Sequence, residues 1–583
     1  MAKRTPKQIP GEKPDKPNIF SVLKPYKLMI VGLIVFALLS NGVNLVIPKL
    51  ISHGIDDFSK GSFSYERLII QFMTAAFTIF VFTFLQGILQ TYASEKVARD
   101  LRSKLADKIS RQSYAFIQQA NPSKLLTNLT SDIDSVKLFV SMAIVSLASS
   151  IFIIIGASIL LFSINWKLAL SVLTIIPIIS GSFYMVFRKV RVLFKKSREV
   201  IDWLNKVISE SIMGAAIVRV LNSQMLEYNK FLDANTQAKN LGISILKLFA
   251  TLIPIVVFVS NMASLIILAL GGHFVINGAM SLGDFAAFNS YLVILIFPII
   301  VIGFISNFVV QASVSYTRIY DVLHAKETHD TGTINNPLKG NLELQDIFVY
   351  YGDKPALKHV SLTIQQGSRT ALIGPTAAGK SQLLYLLTGL IQPAKGVILF
   401  DGININEYNK EKFQQQIGFV FQDSIIFNMS LRENIAFNDK VTDELMSKAI
   451  DTAELNDFIN NLPEGLDTIV SERGNSLSGG QKQRIMLARA LALNPKILLL
   501  DDFTARVDSQ TEEKILDNMT RNYPGITLVS VTQKVASVMK YGQIILLEEG
   551  EILARGTHES LMESSPEYVQ IFNSQRSTSN YEL

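Results

Sequence analysis

The residues equipped for chemistry lie in the second half of the 583-residue chain. Residues 374–382 read Gly374-Pro375-Thr376-Ala377-Ala378-Gly379-Lys380-Ser381-Gln382, directly after a strand-like run at 369–373. A glycine, four residues and then Gly-Lys-Ser is the pattern of a loop that wraps a phosphate. Glycine frees the backbone to bend around an anion. Successive N–H groups and the start of the next helix supply positive potential. Lys380 is placed to reach β- and γ-phosphates, and Ser381 to offer its hydroxyl to Mg2+. A second patch, residues 497–502, runs Ile-Leu-Leu-Leu-Asp-Asp. A continuous apolar run ending in acids fits a buried parallel strand whose carboxyl end meets a ligand. Asp501 is then placed to hold the metal.

Between the two patches stands Leu477-Ser478-Gly479-Gly480-Gln481, followed by a helical run, and Gln422 follows a further strand-like run. The phosphate loop (Walker A), the glutamine, LSGGQ and the acid-ending strand (Walker B) occur in that order. Together they resemble the nucleotide-binding domain of an ABC transporter. From about residue 18 to about residue 575 the chain resembles bacterial ABC exporters of the multidrug type. The resemblance implies ATP and Mg2+ as cofactors, with Ser381, Gln422 and Asp501 at the metal. It places Tyr351 against the adenine and Ser471-Glu472-Arg473-Gly474 against the membrane loops. It also implies head-to-tail pairing, each ATP lying between the Walker residues of one subunit and Leu477–Gln481 of the other. One copy of each motif cannot build a complete site, so a second ABC half-transporter is an expected partner.

Four positions depart from that pattern. Asp502 stands where the family usually has the glutamate taken to be the general base. Aspartate is one methylene shorter, about 1.5 Å of reach, and a misplacement of about 1 Å can cost on the order of 100-fold. Gln533 stands where the family has its switch histidine, and an amide cannot carry a proton or a charge. The D-loop, usually Ser-Ala-Leu-Asp, reads Ala505-Arg506-Val507-Asp508. In the phosphate loop, Ala377 replaces a usual glycine and Gln382 a usual threonine. The cradle is expected to survive if Ala377 keeps a negative φ. The groups that bind MgATP are kept, whereas those that hydrolyse it are altered. The chain is therefore expected to be the degenerate-site half of a heterodimeric exporter. The alternatives are a homodimer with variant catalytic residues, or an ATP-regulated, channel-like subunit.

These residues need a scaffold, and the first half of the chain is of another kind. Six apolar segments, at 28–50, 68–92, 140–163, 168–187, 248–276 and 285–310, reach the roughly 20 residues a spanning helix needs. The expected architecture is an α-helical membrane domain of six transmembrane helices plus an α/β P-loop domain. Residues 1–27 are assigned to a cytoplasmic tail and surface helix, 28–325 to the membrane domain, 326–340 to a linker, 341–575 to the ATP-binding domain and 576–583 to a tail. The first two segments are joined by about 17 residues, whereas 93–139 and 188–247 are long, basic and helical in period. Basic loops face the cytoplasm, which places both termini inside a plasma (inner) membrane. Residues 121–134 and 214–224 are the expected turning points of the two long loops. Asn41, Asn44, Gln86, Gln90, Asn261, Asn289, Asn307 and Gln311 lie in the apolar segments, which hold no deep acidic residue.

Composition excludes several other classes. With no cysteine, disulfides and thiol chemistry are impossible, and six histidines without ligand spacing argue against zinc. The net charge of +6 is explained by basic residues beside membrane segments, so no nucleic acid is expected. The expected partners are the lipid bilayer and an amphipathic small molecule or peptide. No cleavable signal or leading peptidase segment is expected in the first 27 residues.

Overall fold

The computed structural model describes residues 18–327, 332–351, 354–470 and 477–579. Its contacts divide into two units. Among the described residues, the first holds 18–110 and 121–326, and the second holds 111–120 and those from 327 to 579.

Among the described residues, the first unit holds six helices long and apolar enough to cross a membrane. They are α1 (Ile19–Ser59), α2 (Tyr65–Ser110), α4 (Pro122–Ile164), α5 (Trp166–Met213), α7 (Gln224–Ile276) and α8 (Leu282–Leu323). Each has 41 to 53 residues, about twice what the hydrocarbon core demands at about 1.5 Å per residue, so each continues past its apolar stretch. Two sequence expectations change for that reason. The first connection is not 17 residues long, because α1 runs on through the polar stretch to Ser59 and only 60–64 remain. The first turning segment is not 121–134, since 122–134 already belong to α4. The turn is made at 111–121 around the short helix α3 (Tyr114–Ala120). Its counterpart, α6 (Ala215–Val220), falls within the expected 214–224.

Side-chain bonds tie these helices together. The buried Tyr291 hydroxyl donates to the Leu45 carbonyl at 2.9 Å, joining α8 to α1. Asp132, 2% exposed, accepts two hydrogen bonds from Arg318, Nε at 3.0 Å and Nη2. A buried carboxylate needs such a pairing to offset its desolvation. Where α1 ends, Asp56 accepts from Ser281 Oγ at 2.7 Å and from Gly283 N at 2.8 Å, capping the start of α8.

The second unit is α/β. Four antiparallel strands form one sheet in the order β2-β1-β4-β5: β1 (Leu342–Tyr351), β2 (Lys354–Ile364), β4 (Lys395–Phe400) and β5 (Ile403–Asn404). A second sheet runs β10-β9-β3-β8-β7-β6. Its members are β3 (Arg369–Ile373), β6 (Ile417–Val420), β7 (Ile497–Asp501), β8 (Thr527–Val531), β9 (Gln543–Glu548) and β10 (Glu551–Gly556). All pairings in it are parallel except β9–β10. Every residue of β7 and β8 is buried, as expected for parallel strands covered on both faces. Helix α3 belongs to this unit, with the Tyr114 ring edge-on to Tyr385 at 5.6 Å.

Candidate functional site

Register brings the scattered motifs to one edge. Leu372 of β3 pairs with Val531 of β8, and Val531 also pairs with Asp501 of β7. The residues just past these strand ends, 374–382, 502 and 532–533, therefore emerge side by side. Gln422 follows β6, which pairs with β7. Ligands of open parallel sheets bind at this carboxyl edge. A cleft of about 320 Å³ lies there, lined by Ala356, 376–382, Gln422, Asp501, Asp502, Val531 and Gln533.

The phosphate loop closes through its own lysine. Lys380, 8% exposed, donates from Nζ to the carbonyls of Gly374 at 2.8 Å and Pro375 at 2.7 Å. Burial lowers its pKa, opposed by the charges of Asp501 and Asp502. Two glycines are required by space. A Cβ on Gly374 would stand 2.0 Å from the Leu547 carbonyl oxygen, and one on Gly379 2.6 Å from that of Ala356. Ala377 departs from its expectation. Its φ is +67°, in the left-handed region where a Cβ is strained. Gly374, Ala377 and Gly379 all stand at positive φ, and at the middle one an alanine bears the strain. Beside it, the Gln382 side-chain oxygen is buried without a hydrogen-bond partner among the described residues.

The acids have unlike surroundings. Asp501 is 2% exposed, and its Oδ2 finds no hydrogen-bond partner among the described residues. Burial raises its pKa, against the pull of the Ser381 hydroxyl and the Lys380 charge. A buried carboxylate oxygen without a donor costs free energy unless a cation meets it. Ser381 and Gln422 line the same cleft, completing a set of hard oxygen donors. These residues fit Mg2+, which would neutralise phosphate charge there. Asp502 sits at φ +51°, a conformation aspartate adopts more readily than most side chains. Burial raises its pKa too, opposed by Lys380 and Lys534.

Some motif residues lie elsewhere. Leu477–Gln481 do not line the cleft. Ser478 caps helix α9 (Gly479–Leu491) and Gln481 bonds back to it, a reciprocal capping box. Gly479 and Gly480 lie under the D-loop: an added Cβ would stand 2.9 Å from Arg506 Cδ and 2.8 Å from Arg506 O, respectively. Tyr351 ends β1, paired with Lys354. The segment 471–474 lies outside the described residues. Ala356 and Val531 line the cleft without a motif to announce them. Lys534, which tempers Asp502, had only its place beside Gln533 to mark it.

Comparison with known proteins agrees with this layout. The family model for the ABC transporter transmembrane region matches residues 29–299, and the model described as ABC transporter matches 357–505. The ABC transporter ATP-binding protein YfiB of Bacillus subtilis is 33% identical over 95% of this chain and 98% of its own. The multidrug resistance-like protein MdlA of Buchnera aphidicola is 29% identical, over 96% of this chain and 98% of its own. An ATP-dependent lipid A-core flippase of Syntrophus aciditrophicus is 28% identical, over 84% and 82%. Among solved structures, a bacterial Atm1-family ABC exporter with ATP bound superposes with a TM-score of 0.77, covering 95% of this chain and 99% of that one at 22% identity. With six membrane-length helices and one P-loop domain in a single polypeptide, this chain belongs to the ABC transporter family as an exporter-type half-transporter.

Proposed function

We propose that this chain is the degenerate-site subunit of a heterodimeric exporter that moves amphipathic compounds across the plasma membrane. Its own Walker residues hold MgATP and hydrolyse it slowly, while its Leu477–Gln481 completes the partner's faster site. The observation that carries this reading is local. Of the residues lining the cleft, Lys380, Ser381, Gln422 and Asp501 suit MgATP, whereas Asp502 and Gln533 alter the two hydrolytic positions. A lone substitution is easily tolerated, but two on the same reaction step weaken it together. The position of Leu477–Gln481 outside the cleft further supports a need for a second chain. The resemblance to multidrug and lipid A-core transporters supports an amphipathic substrate.

In this proposal ATP closes the paired domains because it binds the closed state better than the open one. The closing motion passes through the turns at 111–121 and 214–224 into the long helices, and the cavity turns from inward- to outward-facing. Both termini are cytoplasmic, as the basic 93–139 and 188–247 loops suggest. The test is the ATPase rate of the purified chain alone in lipid. Background turnover, with MgATP binding intact, is expected. Brisk turnover that Lys380→Ala abolishes would refute the degenerate site.

A further inference from the structure

Gln533 owes its place to a residue some forty positions further along the chain. The loop after β8 makes few backbone bonds of its own beyond Lys534 N to Thr532 Oγ1 at 3.0 Å. Thr532 N and Lys534 Nζ donate to the Leu372 and Thr504 carbonyls, and the backbone from 533 to 535 is held by Gln575 on the last described helix, α10 (Pro566–Ser579). The Gln575 Nε2 donates to the Gln533 carbonyl at 2.6 Å, and its Oε1 accepts from Val535 N–H at 2.9 Å. One planar amide thus pairs with the carbonyl of residue 533 and the N–H of residue 535, as an adjoining strand would. With Val535 fully buried, the backbone between is fixed at both ends. The helix that carries Gln575 is itself anchored. Tyr568 is fully buried, its hydroxyl 2.8 Å from His558 Nδ1, and Phe572 packs on the domain core.

We propose that Gln575 is a positioning residue for the nucleotide cleft: its amide clamps the 533–535 backbone and so sets where Gln533 stands relative to the terminal phosphate. This rests on the reading that ATP occupies the cleft. The clamp matters more here than with a histidine, because a neutral amide at 533 relies on position alone and has no charge to attract a phosphate. A purely structural Gln575 would hold the domain together without favouring ATP over ADP. A positioning Gln575 favours the nucleotide whose last phosphate lies at the loop.

The test is equilibrium binding of fluorescent ATP and ADP, each with Mg2+, to the full chain in lipid nanodiscs. Gln575→Leu removes both bonds while keeping the volume. It is expected to weaken ATP about five-fold, one hydrogen bond's worth, with ADP unchanged. Gln575→Glu keeps the acceptor for Val535 but loses the donor to Gln533. It is expected to lower the ATP/ADP preference as well, and serves if the leucine variant does not fold. Gln533→Ala sets the full size of the effect. If Gln533→Ala lowers the preference while both Gln575 variants keep it, the clamp is overturned. If Gln533→Ala also leaves it unchanged, nothing needs positioning and the proposal falls. If the wild-type chain binds neither nucleotide, or Lys380→Ala does not weaken binding, the cleft assignment beneath it fails instead.

Discussion

Two neighbouring alanines should respond to the same substitution with opposite signs. Ala377 is exposed and stands at φ +67°; Ala378 is 2% exposed and has no positive φ. In Ala377→Gly, the folded state sheds the left-handed strain of a Cβ, about 1–2 kcal/mol. The unfolded chain gains freedom, which costs about 0.4–1 kcal/mol. The exposed methyl gives up almost no burial. The balance is a gain between about 0 and 1.6 kcal/mol, centred near about 0.8 kcal/mol. For a domain of this size the central value raises the melting temperature by about 2–3 °C. Ala378→Gly has no strain to relieve. It loses a buried methyl, about 0.8 kcal/mol, and adds a glycine's entropy, about 0.5–1 kcal/mol. The transition should fall by about 3–7 °C. The assay is thermal unfolding of the full chain by intrinsic fluorescence, following the transition that MgATP shifts. MgATP affinity of Ala377→Gly should match the wild type, because the backbone path is kept. If both variants melt lower, the loop does not hold position 377 left-handed in solution and the strain argument is wrong.

Other expectations follow from the same geometry. Gly374→Ala must displace the loop from the Leu547 carbonyl, 2.0 Å from the new Cβ, and should cut binding of a fluorescent ATP analogue more than about ten-fold; near-normal affinity would show that the loop relaxes freely. In copies of the chain that pair with each other, the double change Asp502→Glu with Gln533→His should raise the steady-state ATPase at least about ten-fold; an unchanged rate in such pairs would mean that the base position is not limiting. Burial raises the pKa values of Asp501 and Asp502 and lowers that of Lys380. Mg2+ must displace the proton from Asp501, so its affinity should weaken as pH falls into that raised range, by up to about ten-fold per pH unit. Nucleotide affinity should also fall on the alkaline side, where Lys380 loses its charge earlier than an ordinary lysine, and Mg2+ and nucleotide titrations across pH read both limbs. Finally, Gly283→Ala puts a Cβ 2.1 Å from the Ser52 carbonyl and 2.7 Å from Asp56 Cγ. It should destabilise the joint between α1 and α8 by about 1–3 kcal/mol, seen as faster limited proteolysis of the membrane unit.

The sequence by itself determined what depends on local pattern. Six apolar runs of spanning length announce six helices, because the hydrocarbon core sets a minimum length that few other structures require. The phosphate loop, Leu477–Gln481 and the acid-ending β7 announce the nucleotide cleft, because each is a short segment whose chemistry is built into its residue types. Asp502 and Gln533 were visible as departures for the same reason. Tertiary structure decided what depends on non-local contact. Where helices pass beyond the bilayer, composition no longer marks their ends, so α1 ran past its expected stop and the first turn fell at 111–121. The sign of φ at Ala377 could not be read from an alanine. It follows from a loop pinned at Gly374 against β9 and at Gly379 against the Ala356 carbonyl of β2. Ala356 reached the cleft, and Gln575 reached the Gln533 backbone, only because strands and a helix distant in sequence pack together. Side-chain type and spacing name the chemistry; strand register and packing settle which backbone atoms face it.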